Sequence, residues 1–287
     1  MKRTAFLLFL TISCAGHRQT GTPSVYAVST AAEFVAALGS DRTIELVGNV
    51  YFLSEMADRV NPNKDVQFVR EYVDNELHIS NVKNLVIRGK EGQRPMVLTE
   101  PEYGNVLVFE NSSGITLEHL SMGHGPPRGF CSGGVLRFVN SHGIRVRDCL
   151  LFGSGTEGIA AEKCSAIEVL NSQIERCTYN ILTLDECRRV LFKKCSFSNN
   201  ESQVSGLINL YDCDLVKFDG CKIEGNGNDY TRYLFELHGA PIVQVDGCAI
   251  SGNTYFNLTN EPTALHLQKS SVSGNMQHDE DCCDEPH

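Results

Sequence analysis

From Leu77 onward, apolar residues return in pairs two positions apart, separated by small and polar residues. A first series runs Leu77/Ile79, Leu107/Phe109, Leu136/Phe138, Ile159/Ala161, Leu182/Leu184, Ile208/Leu210, Phe235/Leu237 and Phe256/Leu258. A second runs Leu85/Ile87, Ile115/Leu117, Ile144/Val146, Ile167/Val169, Val190/Phe192, Val216/Phe218, Val243/Val245 and Leu265/Leu267. A third apolar position follows at Met122, Leu151, Ile174, Phe197, Ile223, Ile250 and Val272. Period 2 within each limb means strands whose side chains alternate inward and outward. The first limbs recur at intervals of 30, 29, 23, 23, 26, 27 and 21 residues. A leucine-rich repeat shares that period but needs a helical limb, and every limb here is strand-like. The pattern therefore predicts an all-β solenoid, a parallel β-helix of about eight coils spanning residues 25–276.

Small residues fall into columns of the same repeat. Ser112, Ser141, Cys164, Cys187, Cys213 and Ala240 share one position; Leu120, Cys149, Ser172, Cys195, Cys221, Cys248 and Ser270 share another. Asn200, Asn226, Asn253 and Asn275 form a third column, each five residues past the second. Twelve Cys in an exported chain would ordinarily suggest disulfides. One cysteine per coil at an interior corner instead reads as a buried free thiol, acting as a small hydrophobe. The Asn column is expected to satisfy turn backbone groups.

The repeat needs a cap, because an open coil exposes core and strand edges. STAAEFVAALGS supplies one: Thr30 and Glu33 have capping-box spacing, Phe34, Ala37 and Leu38 share a face, and Gly39 can stop the helix. A strand is expected around Ile44 and Leu46. Residues 54–75 lack the repeat and read as an excursion. Residues 277–287 read as an acidic disordered tail.

The first residues, MKRTAFLLFLTISCAG, read as a signal peptide over residues 1–16. Cleavage before Cys14 would lipidate that cysteine; cleavage after Ala15 would use an ordinary site. The lipoprotein reading is preferred, with residues 17–24 as a tether. The chain is then exported to the cell envelope, as an outer-membrane lipoprotein or in the periplasm, or beyond the cell. Membrane attachment would be through the lipid alone. A net charge of −10 argues against nucleic acid as a partner.

The repeat and its N-terminal cap resemble the pectate-lyase-like right-handed β-helix superfamily. The run LFGSGTEGIAAEKCSAIEVLNSQIERCTYNI resembles bacterial right-handed β-helix repeat proteins of unassigned activity. The resemblance implies a right-handed solenoid and says little about activity, because the fold hosts lyases, hydrolases, epimerases and adhesins.

Enzymes of that superfamily often work along one sheet, which directs attention to outward residues of the first limb. One column reads His78, Val108, Arg137, Ala160, Thr183, Asn209, Glu236 and Asn257. Its neighbour reads Ser80, Glu110, Val139, Glu162, Asp185, Tyr211, His238 and Thr259. Glu162, Asp185, Asn209, Tyr211, Glu236 and His238 thus form a candidate ligand-binding patch, with the loop at 226–233 walling one end. Like-charge repulsion between Glu162 and Asp185 is expected to raise both carboxyls. Outward second-limb residues, among them Arg145, Glu168, Lys217 and Asp219, read as a salt-bridged surface. Gly123-His124-Gly125 matches a short polygalacturonase motif but lacks its companion motifs. Glu157 sits in GSGTEG, a corner whose glycines are explained by turn chemistry. No cofactor is implied, calcium stays open, and no metal site is assigned. The sequence favours a non-catalytic module binding a glycan or a cell-surface protein. The alternative is a polysaccharide lyase or glycoside hydrolase acting on an acidic polysaccharide through Glu162, Asp185 and His238.

Overall fold

The computed structural model describes residues 24–57, 63–71, 74–100, 104–125, 132–239 and 241–277. The expected signal peptide with Cys14, the expected tether up to residue 23 and nearly all of the expected acidic tail lie outside them, and Ser24 begins the strand Ser24–Val28. Three long sheets run along the molecule. The first-limb sheet extends from Val66–Glu71 to Asn257–Thr259, and the second-limb sheet from Ser24–Val28 through Arg42–Leu46 to Leu265–Gln268. The third extends from Val50–Phe52 to Ser271–Ser273. Each strand pairs parallel with its equivalent one coil away, as Leu136 with Ile159, Ile159 with Leu182 and Leu182 with Ile208. The repeat thus folds as a right-handed parallel β-helix.

Alternation decides what is inside. Leu136, Ile159, Leu182, Ile208 and Phe235 stack at 0–1% exposure, and so do Ile144, Val146 and Phe218 of the second limb. Phe192 and Phe218 lie face to face with centroids 5.0 Å apart, and Phe197 meets Phe218 edge-on at 6.1 Å. Such contacts add to simple area burial. The turn from the first to the second limb places one left-handed residue in each coil: Asn81, Asn111, Asn140, Lys163, Glu186 and Asp212, with φ between 47° and 58°. Asn and Asp tolerate this conformation, whereas Lys163 and Glu186 are held there by the coils on either side.

Corners also leave inward backbone groups that water cannot reach. The small columns satisfy them. Ser112 N donates to Ser141 Oγ at 3.0 Å, and Ser141 N to Cys164 Sγ at 3.4 Å. Cys221 N donates to Cys248 Sγ at 3.2 Å, and Cys248 N to Ser270 Oγ at 3.0 Å. The thiols are therefore corner hydrogen-bonding groups as well as small apolar ones. In the Asn column, Asn200 Nδ2 donates to Asn226 Oδ1, and Asn226 Nδ2 to Asn253 Oδ1, both at 2.9 Å. The eight cysteines among the described residues are free and buried.

The helix Ala31–Ala37 closes the N-terminal end. Its capping box forms with Thr30 Oγ1 accepting from Glu33 N at 3.2 Å, and Phe34 and Val35 are fully buried. Arg42 Nη1 caps the other end on Ala37 O at 2.9 Å. The next strand is Arg42–Leu46, as the sequence suggests.

Two expectations are corrected. Part of the 54–75 excursion is a strand, Val66–Glu71, which pairs antiparallel with Asp74–Ser80 and extends the first-limb sheet. Phe68 can pack on the core only in that register. The final first-limb strand is also displaced: Tyr233 pairs with Asn257 and Phe235 with Thr259, rather than Phe235 with Phe256. Tyr255 takes the buried place, and Asn260 fits against the preceding coil, accepting from Leu237 N at 2.7 Å. Burying the larger amphipathic ring and satisfying that N–H outweigh strict period-2 alignment.

Burial pushes the Cys149 thiol up to about 12. Hydrogen bonds from neighbouring thiols lower Cys164 and Cys195 instead, but all eight core cysteines are buried, so labelling of the native protein is expected to be slow at each of them and complete only in denaturant. A mass shift showing a bond between Cys164 and Cys187 would contradict the reduced ladder. In chemical denaturation, Phe197→Ala or Ile223→Ala should cost about 2–5 kcal/mol. Glu168→Ala should stay within about 0.5 kcal/mol. Equal costs would mean that the in/out assignment is wrong.

Candidate functional site

The first-limb sheet carries a cleft of about 380 Å³ on its outward face, lined among others by Glu76, Arg137, Glu157, Glu162, Thr183 and Asp185. Register accounts for most of it. Glu162 and Asp185 end neighbouring strands and pair directly, as do Ala160 and Thr183, two positions earlier on each strand. Ala160 is small, so the space between Arg137 on one side and Thr183 on the other stays open. Glu157 enters from the corner before Ile159–Glu162. One coil earlier that corner position is Gly134, where a Cβ would lie 2.8 Å from Asn105 Oδ1 and 3.2 Å from Glu157 Oε1. The missing side chain makes room for the Glu157 carboxyl.

Glu157 is half-buried, and loss of hydration pushes its carboxyl above the ordinary value, against hydrogen bonds from Thr183 and Thr156 that pull it down. Thr183 Oγ1 lies 3.3 Å from Glu157 Oε2 and receives Asn180 Nδ2 at 3.2 Å. Glu162 behaves oppositely. A hydrogen bond and ion pair from Lys163 at 2.9 Å hold it below the ordinary value. The expectation that Glu162 and Asp185 raise each other is therefore corrected for Glu162: the turn that makes Lys163 left-handed sets its ammonium beside the carboxylate. Two carboxyls in one cleft thus favour opposite protonation states. At the far end, burial would raise Glu76, but hydrogen bonds from His78 and Asn105 outweigh it and leave it low. Asn105 N donates to Glu76 Oε1 at 2.7 Å, and His78 stands between Glu76 at 3.1 Å and Glu110 at 3.4 Å.

The six residues expected to form one patch do share the sheet face, since Glu162, Asp185, Tyr211 and His238 occupy successive rungs. They split in use. Glu162 and Asp185 line the cleft; the other four do not. Tyr211 and His238 stack at 5.0 Å with an angle of 2° between the rings, and His238 Nε2 lies 3.2 Å from Glu236 Oε1. Glu236 is also bonded to Ser205. Asn209 is only 3% exposed, because the backbone at Ser205–Gly206 closes over it. The loop at 226–233 folds onto the neighbouring corner, with Asn228 Nδ2 donating to Ser202 O at 3.0 Å. Glu76, Arg137, Glu157 and Thr183 line the cleft without belonging to the expected patch. The signal for Glu157 is a charged residue among glycines, two positions before the strand Ile159–Glu162.

The second-limb face carries ion pairs such as Arg145–Glu168 at 2.8 Å and Lys193–Asp219 at 3.0 Å, as expected. A larger cavity of about 540 Å³ lies along it, lined by Thr116, Arg145, Glu168, Leu191 and Lys217. Its carboxylate, Glu168, is already taken by Arg145. His124 is buried, kept neutral by burial, and tied through Nε2 to Gly104 O at 2.8 Å. Among the described residues no three His, Cys, Asp or Glu side chains converge on a metal position.

With this geometry the molecule is similar in fold to several solved proteins. A pectate lyase from Paenibacillus sp. 0602 superposes with a TM-score of 0.64 at 8% identity, over 90% of this chain and 79% of that one. A pectin methylesterase in complex with a hexasaccharide gives 0.56 at 9% identity, over 91% and 94%. A pectate lyase from Bacillus sp. N165 in complex with trigalacturonate gives 0.51 at 12% identity, over 91% and 84%. No curated protein matches significantly in sequence. Residues 105–278 match the family described as the right handed beta helix region. That match spans more than half of the chain and covers the coils that build the cleft, so the protein belongs to the right-handed β-helix region family.

Proposed function

We propose that the protein is an exported, carbohydrate-active β-helix protein that cleaves a glycosidic bond by acid/base catalysis in the first-limb cleft. The observation that carries this reading is that one cavity holds Glu157, whose carboxyl burial raises, and Glu162, whose carboxyl Lys163 holds low. Carboxyls driven to opposite protonation states are the usual arrangement for an acid and a base at one pH. Glu157 would protonate the leaving glycosidic oxygen, while Glu162 takes the proton of the attacking water. Thr183, itself fixed by Asn180, keeps the Glu157 carboxyl aimed. A cleft of about 380 Å³ on an extended sheet suits one or two sugar rings of a longer chain. The fold is known to accommodate such ligands, since related structures hold a hexasaccharide and trigalacturonate. Export rests on the N-terminal leader.

Reducing-end release should be measured on polygalacturonate, alginate, xylan, β-glucan and chitosan. Glu157→Gln is expected to lower the rate about 10²–10⁴-fold with the fold retained. The rate should fall at low pH as Glu162 protonates and at high pH as Glu157 ionises, and Glu162→Gln should remove the acidic limb. Binding by the wild type without any product would identify a non-catalytic glycan module. Absence of both binding and product would overturn the carbohydrate reading.

Stability gives an independent check. A carboxyl raised in the folded state favours folding while it is protonated, and that advantage is lost as pH rises through its folded value. Wild-type stability relative to Glu157→Gln should therefore decline from about pH 4 upward. A rise over that range would mean that Glu157 is ionised in the native protein.

A further inference from the structure

The basic groups on this face other than Arg137 are held by acids. Lys163 is held by Glu162 at 2.9 Å and by Glu186 at 3.7 Å. His78 lies between Glu76 and Glu110, and His238 lies on Glu236. Arg137 lines the cleft among Glu157, Glu162 and Asp185, and its charge acts on the first two. Of the charged residues lining the cleft, four are carboxyls and one is a guanidinium: Glu76, Glu157, Glu162 and Asp185 against Arg137. Even with Glu157 neutral, the carboxylates exceed the cation.

Hydrogen-bonding capacity is tilted the same way. Thr183 Oγ1 and the carboxylate oxygens offer acceptors to the cleft. An arriving ligand therefore meets surplus acceptors and a negative field. Hydroxyl and ammonium groups bring donors and, in the second case, complementary charge. A uronate carboxylate brings acceptors and like charge, and Arg137 alone would receive it among the four carboxyls that line the cleft.

We infer that the cleft selects a non-acidic glycan, with amino-bearing sugars favoured over neutral ones, and excludes polyuronates. This rests on the carbohydrate reading of the same cleft and sets its substrate class against that of the pectate lyases that share the fold. The excess of acid over base is local to the cleft, so the selection operates on the sugar seated beside Asp185 and Glu162.

The test is calorimetric binding of three hexamers, β-1,4-glucosamine, cellohexaose and hexagalacturonate, to wild-type protein and to Glu157→Gln, in EDTA and separately in calcium. The glucosamine hexamer is expected to bind tightest and to weaken with added salt, and hexagalacturonate at least about tenfold more weakly in both buffers. Asp185→Asn should narrow that gap about threefold or more, with an unchanged circular dichroism spectrum. If the variant does not fold, the wild-type order alone decides. Tightest binding of hexagalacturonate in either buffer would overturn the inference while leaving the carbohydrate reading intact. Binding of none of the three would overturn both.

Discussion

The structure depends on one constraint: each coil must satisfy, through the next coil, the backbone groups it turns inward at its corners. Strand segments meet this by parallel pairing, but corners cannot, and water does not reach them. Side chains of one kind, stacked in column, take over. Ser141 accepts from Ser112 N and Cys164 accepts from Ser141 N, and the asparagines repeat the device with two donors each. A hydroxyl and a thiol can exchange within a column because each is small, accepts one bond and donates another. The cysteines of these columns are therefore corner residues before they are redox groups.

Stacking also determines how a site can be made. In a solenoid the neighbours of a side chain are set by coil offset, so a gap opens only where a column drops its side chain. Gly134 and Ala160 provide such gaps, one at the corner and one on the sheet, and the cleft lies between them. The same geometry desolvates Glu157, because its carboxyl fills the space left by Gly134 and lies against Thr183. Glu162 stands at a strand end, beside the residue that turns the corner, and so acquires a cation. Two glutamates five positions apart in the chain reach opposite protonation preferences through backbone placement.

Charge on the sheet face follows from corner geometry as well. Lys163 and Glu186 hold the same left-handed position in successive coils, which brings their head groups within 3.7 Å. Glu236 and His238 alternate along one strand and meet on its outward side, at 3.2 Å. Pairing within the face leaves the cleft with an excess of carboxylates.

The sequence by itself determined the solenoid, its limbs and most of its register, because period-2 alternation and coil-length repetition are local properties of the chain. The repeat alone stacks Leu136, Ile159 and Leu182, lines up the cysteine and asparagine columns, and orders the rungs of Glu162, Asp185, Tyr211 and His238. Tertiary structure alone decided which of those rungs form a cleft. Glu157 belongs to no strand column, and its burial depends on Gly134 a coil away. Asn209 looks outward by alternation yet is covered by Ser205–Gly206, a segment whose path no periodicity encodes. The last first-limb strand slipped because Tyr255 and Asn260 gained more by packing on the coil beneath than Phe256 would have gained by alignment. Periodicity reports which face a side chain takes; corners and gaps report what it touches, and those depend on residues a full coil apart.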